Sequence, residues 1–434
     1  MSSNIIEFTD LKVDPLSELK KRFALSTIGG VIGIIDLDEL QIKGGQKAPS
    51  LKIYSRGDGR LLMERFLQTI PSNFSSKDVI KNFECDPKTK LFSNVAFSPS
   101  NVPPDTLNLW VGYSINPVQG TWPILENFIG DVICNNNLNC ESYFLDYLAH
   151  LFQKPEEKPG VMIALLSGQG AGKGTLFELI RKMFSYTTVQ LNQVGHVITG
   201  FNAILERSYI VLLDEALFHS DFKSIEAMKS LITEPQITIE EKRQPRRTIQ
   251  SHHRFIAATN SYHFAKTEKD DRRMIYFRLN ESKVNDMIYW ESVRNAINGT
   301  EIQALAYHLI NRDISCFNPR IRPDVDELVR QKLLSLQGFE RFLYEVLTNE
   351  KIGFKEWKAD DFISTEYFIN QYDEFRKGAA RYNTIQAREI RNTMEKVLPS
   401  AKYGRDKFRG YELCHIDQAR KDFEKYIGGE IDWS

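Results

Sequence analysis

Apolar positions along the chain fall into two rhythms. Uninterrupted apolar runs bounded by turn residues or acids predict buried strands at Val161–Leu166, Ser208–Leu213 and Phe255–Ala258. Recurrence at helical spacing predicts a helix over Thr175–Phe184, with Leu176, Leu179, Ile180 and Met183 on one face. A denser stripe, Tyr143, Phe144, Tyr147, Leu148, Leu151 and Phe152, predicts core packing within a helical stretch from about Trp122 to Gln153. Ahead of it, Leu16–Phe23 reads as a short helix, and Val31–Ile35, Leu51–Tyr54, Asn94–Phe97 and Asn108–Tyr113 read as short strands. Lys154-Pro-Glu-Glu-Lys-Pro-Gly160 breaks the helical pattern and marks the best boundary.

Three regions follow: an α+β N-terminal domain over 1–153, an α/β core over 154–325, and a C-terminal domain over 326–434. In the last, Gly338–Leu347, Ser364–Phe375 (with Ser364 as N-cap) and Thr384–Leu398 predict helices, and Ala401–Leu413 a hairpin. Two helices and a basic-tipped hairpin after the first match the order of a winged helix. The third helix is then the recognition helix, and Lys402, Arg405, Lys407 and Arg409 belong to the wing. A small helical domain used for packing fits the same pattern.

The 434 residues suffice for two to four domains, and 42% hydrophobic with 26% charged residues is ordinary for a globular chain. No apolar run approaches the roughly 18 residues of a membrane span, and no signal-peptide core begins the chain, so a cytoplasmic protein is expected. The five Cys contain no C-x-x-C pair, which argues against a zinc site or a disulfide framework. A net charge of −1 does not advertise nucleic-acid binding, so any such contact needs a local concentration of Lys and Arg. One exists. Ile237–Gln250 reads as a hairpin whose tip carries Lys242, Arg243, Arg246 and Arg247 around Gln244-Pro245. Set in the channel of a ring, those charges would track a phosphate backbone; a solvated basic hairpin is the plainer reading.

Chemistry concentrates after the first core strand. Ser167-Gly-Gln-Gly-Ala-Gly-Lys-Gly-Thr175 joins strand to helix with glycines at 168, 170, 172 and 174. Backbone N–H groups of such a turn ring a phosphate, the helix start adds positive potential, and Lys173 reaches the β/γ oxygens. The loop departs from G-x-x-x-x-G-K-[ST]: Ser167 stands where the first Gly is usual, and the hydroxyl comes one place late, at Thr175. Asp214 and Glu215 end the second core strand, where Asp214 with Thr175 would hold Mg²⁺ and Glu215 would polarise water. Asn260 ends the third strand as a γ-phosphate sensor. Arg272 and Arg273 precede another strand, as an arginine finger or as surface partners of Asp270 and Asp271. His252 and His253 read as strand-entry residues, and Asp36 with Asp38 as a polar turn after a strand.

These residues together resemble the superfamily III DNA helicases of phages and large DNA viruses, most closely the D5-like primase-helicases. Gly168–Thr175 matches that group's phosphate loop, Leu212-Leu-Asp-Glu215 its second motif, Ala257-Ala-Thr-Asn260 its sensor, and Asp271-Arg-Arg273 its arginine motif. Leu231–Pro235 with Ile239–Lys242 resembles the segment leading to its DNA-contacting hairpin. Phe97-Ser-Pro99 with Leu107–Gly112 resembles the domain before the motor. The resemblance implies a P-loop NTPase core of AAA+-like type with a winged-helix-like C-terminal domain. It also implies ATP and Mg²⁺ as cofactors, and a homo-oligomeric ring, usually a hexamer, completed by the neighbour's arginine. Single-stranded and forked DNA, with a primase or polymerase nearby, are the implied partners, and 3′-to-5′ movement the implied direction. No primase domain is visible ahead of the motor, so a stand-alone helicase or a fragment is expected. Two other readings stay open: an initiator ring that uses ATP only to assemble on DNA, and a nucleotide kinase, suggested by G-K-G-T.

Overall fold

Strands that all leave in one direction organise the middle of the chain. The computed structural model describes residues 14–40, 51–71, 73–192, 195–198, 202–215, 222–240, 247–262, 264, 272–323, 326–377 and 384–433. Its core strands are β1 (Met162–Leu166), β2 (Thr188–Leu191) and β3 (Ile210–Leu213). The antiparallel pair β4 (Gln236–Ile239) and β5 (Arg247–Gln250) follows, then β6 (Arg254–Thr259) and β7 (Met274–Arg278). The order across the sheet is β7-β1-β6-β3-β2, parallel throughout. Parallel strands need crossovers, and both faces of the sheet are covered, which is why β1 and β3 are apolar along their whole length and β6 is apolar between Arg254 and Thr259.

Alternate residues of each strand feed two cores. Ile163, Leu165, Ile210, Leu212, Ile256, Ala258, Ile275 and Phe277 face helices α1 (Leu138–Gln153), α2 (Lys173–Met183), α4 (Met287–Asn298) and α5 (Glu301–Asn311). Met162, Ala164, Leu166, Val211, Leu213, Phe255 and Ala257 face α3 (Phe222–Thr233), with Ile237, Ile239 and Ile249 of the β4–β5 pair. Burying one Leu or Ile side chain here contributes roughly 1.5–3 kcal/mol.

The N-terminal region holds helix Pro15–Arg22 and a four-stranded sheet ordered Tyr54–Ser55, Gly33–Asp36, Phe23–Ser26, Leu91–Phe92. Strands expected at Val31–Ile35, Leu51–Tyr54 and Asn108–Tyr113 are displaced to Gly33–Asp36, Tyr54–Ser55 and Thr106–Asn108, and the helix expected over Leu16–Phe23 ends at Arg22, with Phe23 opening the strand Phe23–Ser26. Asp36 is buried, its carboxylate bonded by Arg22 at 2.9 Å and by the Asp38 amide at 3.0 Å, which makes the D-x-D a folded turn. Ala24, Ile35, Phe92 and Leu107 share one buried cluster with α1 and the sheet, so apolar packing is continuous across residues 153–154.

Beyond the sheet come α6 (Asp326–Ser335), α7 (Gly338–Asn349), β8 (Phe362–Ser364), α8 (Thr365–Lys377), α9 (Ala387–Val397), β9 (Lys402–Arg405), β10 (Arg409–Glu412) and α10 (Ile416–Ile427). Strands β8, β10 and β9 form an antiparallel sheet in that order. The Ser364 hydroxyl accepts from the Tyr367 amide at 3.2 Å, the cap its position predicts. Helix α9 starts at a capping box in which the side chains of Gln386 and Glu389 each accept from a backbone amide. Among the described residues, no helix is long and apolar enough to cross a membrane.

Candidate functional site

The registers bring the carboxyl ends of the central strands flush: Leu166 pairs with both Thr259 and Arg278, and Leu213 with both Ala257 and Leu191. Ser167, Asp214, Asn260 and the segment after Arg278 therefore all leave the sheet along one edge, the edge at which open parallel sheets bind ligands. Helices α2 and α3 follow β1 and β3 onto opposite faces of the sheet.

The glycine loop spans 167–172, and Lys173 begins α2. Gly170 and Gly172 have φ of +79° and +98°, in the left-handed region that favours glycine. A Cβ on Gly172 would also lie 2.6 Å from the Trp290 ring of α4, so that glycine is required twice over. The Lys173 ammonium turns back into the loop, donating to the Ser167 carbonyl at 3.0 Å, the Ser167 hydroxyl at 2.7 Å and the Gly168 carbonyl at 2.7 Å. Burial lowers its proton affinity, while the charges of Glu281 and Asp214 oppose that shift. Gln169 and Gly174 are exposed, Ala171 is buried, and Thr175 is half-buried in the first turn of α2.

Asp214 accepts at Oδ2 from the Gln190 side chain of β2 at 3.0 Å and at Oδ1 from the Glu215 amide at 3.1 Å. Glu215 is exposed with φ of +53°, unusual for a residue with a Cβ. Asn260 is exposed after β6, the strand between β1 and β3. Arg272 is exposed and Arg273 half-buried, both just before β7 at the opposite end of the sheet from the glycine loop. Lys173, Asp214, Glu215 and Asn260 are brought to one edge; the two arginines are not.

Of the basic hairpin, β4 and β5 pair in register with Ile237 opposite Ile249, as the alternation predicts. Lys242, Arg243 and Arg246 lie outside the described residues, and Arg247 opens β5. Asn202 holds the stem, donating to the Thr238 carbonyl at 3.0 Å and accepting from the Glu240 amide at 2.9 Å. His253 is buried between the Ser251 hydroxyl at 2.9 Å and the Leu205 carbonyl at 2.8 Å, and burial holds its pKa down at about 3. Among the described residues no cluster of metal-ligating side chains occurs.

Glu281 escaped the sequence reading. Its Oε1 accepts from the Gly168 amide at 2.7 Å and from the Tyr262 hydroxyl at 2.6 Å, and the Arg278 guanidinium stacks 4.6 Å over the Tyr262 ring. Tyr262 lies just past Asn260, and its carbonyl accepts from Gln331 of α6 at 2.5 Å. A chain of contacts thus joins the glycine loop to the segment after β6 and on to the C-terminal region.

Residues 165–273, about a quarter of the chain, match a protein family described as a family of unknown function (DUF5906). The chain is similar to a DNA primase-polymerase of Nitratiruptor phage NrS-1, 25% identical over 197 residues. That match covers 43% of this chain and only 27% of the phage protein's length. The fold is similar to solved structures of the NrS-1 C-terminal region (305–718). One superposes with a TM-score of 0.65 and 16% identity over 92% of this chain and 99% of that one. Another gives 0.65 and 17% identity over 93% of this chain and all of that one. This chain has the same mixed α/β fold.

Proposed function

We propose that this protein is an ATP-driven motor of phage or mobile-element DNA replication, a ring that moves on single-stranded DNA and unwinds duplex. The observation that carries the reading is the shared sheet edge: a glycine loop with Lys173, the acids Asp214 and Glu215, and the amide Asn260 meet where a triphosphate would lie. In it the core over 154–325 is a P-loop NTPase of the superfamily III, AAA+-like type. The domain over 1–153 precedes the motor, and the domain over 326–434 is winged-helix-like.

The donor set suits the ligands. The amides of residues 168–175 and the α2 N-terminus favour an anion, and Lys173 supplies a full positive charge beside them. Asp214 keeps lone pairs beyond its two hydrogen bonds, and its hard oxygens with the Thr175 hydroxyl suit Mg²⁺, which on binding would neutralise charge on the transferring phosphoryl group. Glu215 orients and polarises the attacking water, and Asn260 contacts the γ-phosphate or that water. Arg272 or Arg273, at the far end of the sheet, would act on a neighbouring subunit's site in a ring. Lys242, Arg243, Arg246 and Arg247 grip the DNA backbone. The similarity to a phage primase-polymerase supports the replication setting.

Strand displacement on a forked duplex with ATP and Mg²⁺ tests the reading. Unwinding supports the motor; DNA binding without displacement supports an assembly-only ring instead.

A further inference from the structure

Lys158 lies in the stretch that sequence pattern marks only as a helix breaker, yet its ammonium is the meeting point of three elements. It donates to the Leu231 carbonyl at 2.7 Å, the Glu234 carbonyl at 2.6 Å and the Ser251 hydroxyl at 2.6 Å, which uses all three of its protons. Leu231 sits in the last turn of α3, where carbonyls lack intrahelical partners and a cation is favoured. Glu234 and Ser251 flank the hairpin, just before β4 and just after β5, and the Ser251 amide also donates to the Pro235 carbonyl at 2.8 Å.

The network continues inward with one consistent direction. His253 is uncharged and bonded on both sides, so Nε2–H donates to Leu205 and Nδ1 accepts from the Ser251 hydroxyl, whose oxygen accepts from Lys158. Behind it, the fully buried Arg254 donates to the carbonyls of His252, Lys154, Pro155 and Glu157, fastening the segment that carries Lys158 to the sheet.

Two of the covalent routes out of the proposed nucleotide site end here. Strand β1, with the glycine loop at its far end, starts four residues after Lys158, and α3, downstream of Asp214 and Glu215, ends on the Lys158 ammonium. Resting on the motor reading above, we propose that Lys158 is a positioning residue that couples the nucleotide-binding strand and α3 to the base of the basic hairpin. Through it, changes at the nucleotide reach the DNA-gripping tip, and DNA at the tip reaches the nucleotide. Lys158 touches neither.

The test compares phosphate release with and without single-stranded DNA for wild type, Lys158→Met and Ser251→Ala. Lys158→Met keeps the stem's bulk and removes all three donors; Ser251→Ala removes one arm. Basal release stays within about twofold of wild type in both. The DNA-stimulated increment falls about tenfold in Lys158→Met and about threefold in Ser251→Ala, the scale of a lost coupling between sites. A purely structural lysine would lower the melting temperature and leave the ratio of stimulated to basal release unchanged, and that result overturns the proposal. If Lys158→Met does not fold, Ser251→Ala decides alone: wild-type stimulation there overturns it. Failure of the motor reading is seen separately, as wild-type protein that releases no phosphate or ignores DNA.

Discussion

The carboxylate of Glu281 accepts a hydrogen bond from the Gly168 amide at 2.7 Å, across 113 positions of sequence. In the proposed site that amide belongs to the loop that receives phosphate, so Glu281 competes with an incoming anion by charge and by position. Glu281→Ala is expected to tighten nucleotide binding about fivefold, the effect of roughly 1 kcal/mol. Titration with a fluorescent ATP analogue measures it. Unchanged or weaker affinity would mean that Glu281 orders the loop without opposing the ligand.

Glu215 holds a left-handed backbone, which costs a residue with a Cβ about 1 kcal/mol or more. Such a cost at the end of an otherwise regular strand fits a side chain kept for chemistry. Glu215→Gly should raise the thermal midpoint while abolishing hydrolysis. Glu215→Gln should lower turnover by about 10²–10⁴-fold with ATP affinity retained, as for loss of a general base. A Gln variant with wild-type turnover removes Glu215 from the chemistry.

Acid should weaken the fold through its buried histidines. Burial holds the pKa of His150 and of His253 down at about 3, against 6.5 for the exposed imidazole. The unfolded chain therefore binds more protons than the native one between those values. The stability these neutral rings provide is complete above about pH 6.5 and is lost as pH falls toward about 3, by up to roughly 1.4 kcal/mol per pH unit for each ring. Melting temperatures measured from pH 7 to pH 4 should fall, and less steeply in His253→Gln. A flat profile would contradict neutral burial.

The hairpin tip carries a salt-dependent expectation. Replacing Arg246 and Arg247 together by Ala should weaken single-stranded DNA binding and make the dependence of log K on log salt shallower by roughly 1.4. Fluorescence anisotropy at several salt concentrations reads it. An unaltered slope would place both side chains away from the phosphates.

Much of the core was legible because β1, β3 and β6 are buried on both faces and so announce themselves as apolar runs ending in the glycine loop, Asp214 and Thr259-Asn260. Of the N-terminal strands, Asn94–Ala96 and most of Gly33–Asp36 lie where the pattern places them, whereas Phe23–Ser26 and Leu91–Phe92 carry no local period and owe their form to the strands they pair with. Glu281, Trp290 and Lys158 were missed for a related reason. Each acts on residues far along the chain, and a lone Glu, Trp or Lys has no spacing that signals such a contact. The hairpin was readable from its alternating Ile237 and Ile239, whereas the Asn202 that clamps its stem was not.

Phosphate release from ATP by wild type and Lys173→Ala, each with and without single-stranded DNA, bears most directly on the motor reading. The wild type should hydrolyse ATP and accelerate on DNA, and the alanine variant, folded by circular dichroism, should do neither. Wild-type turnover in Lys173→Ala, or no turnover in the wild type under any DNA condition, would contradict it.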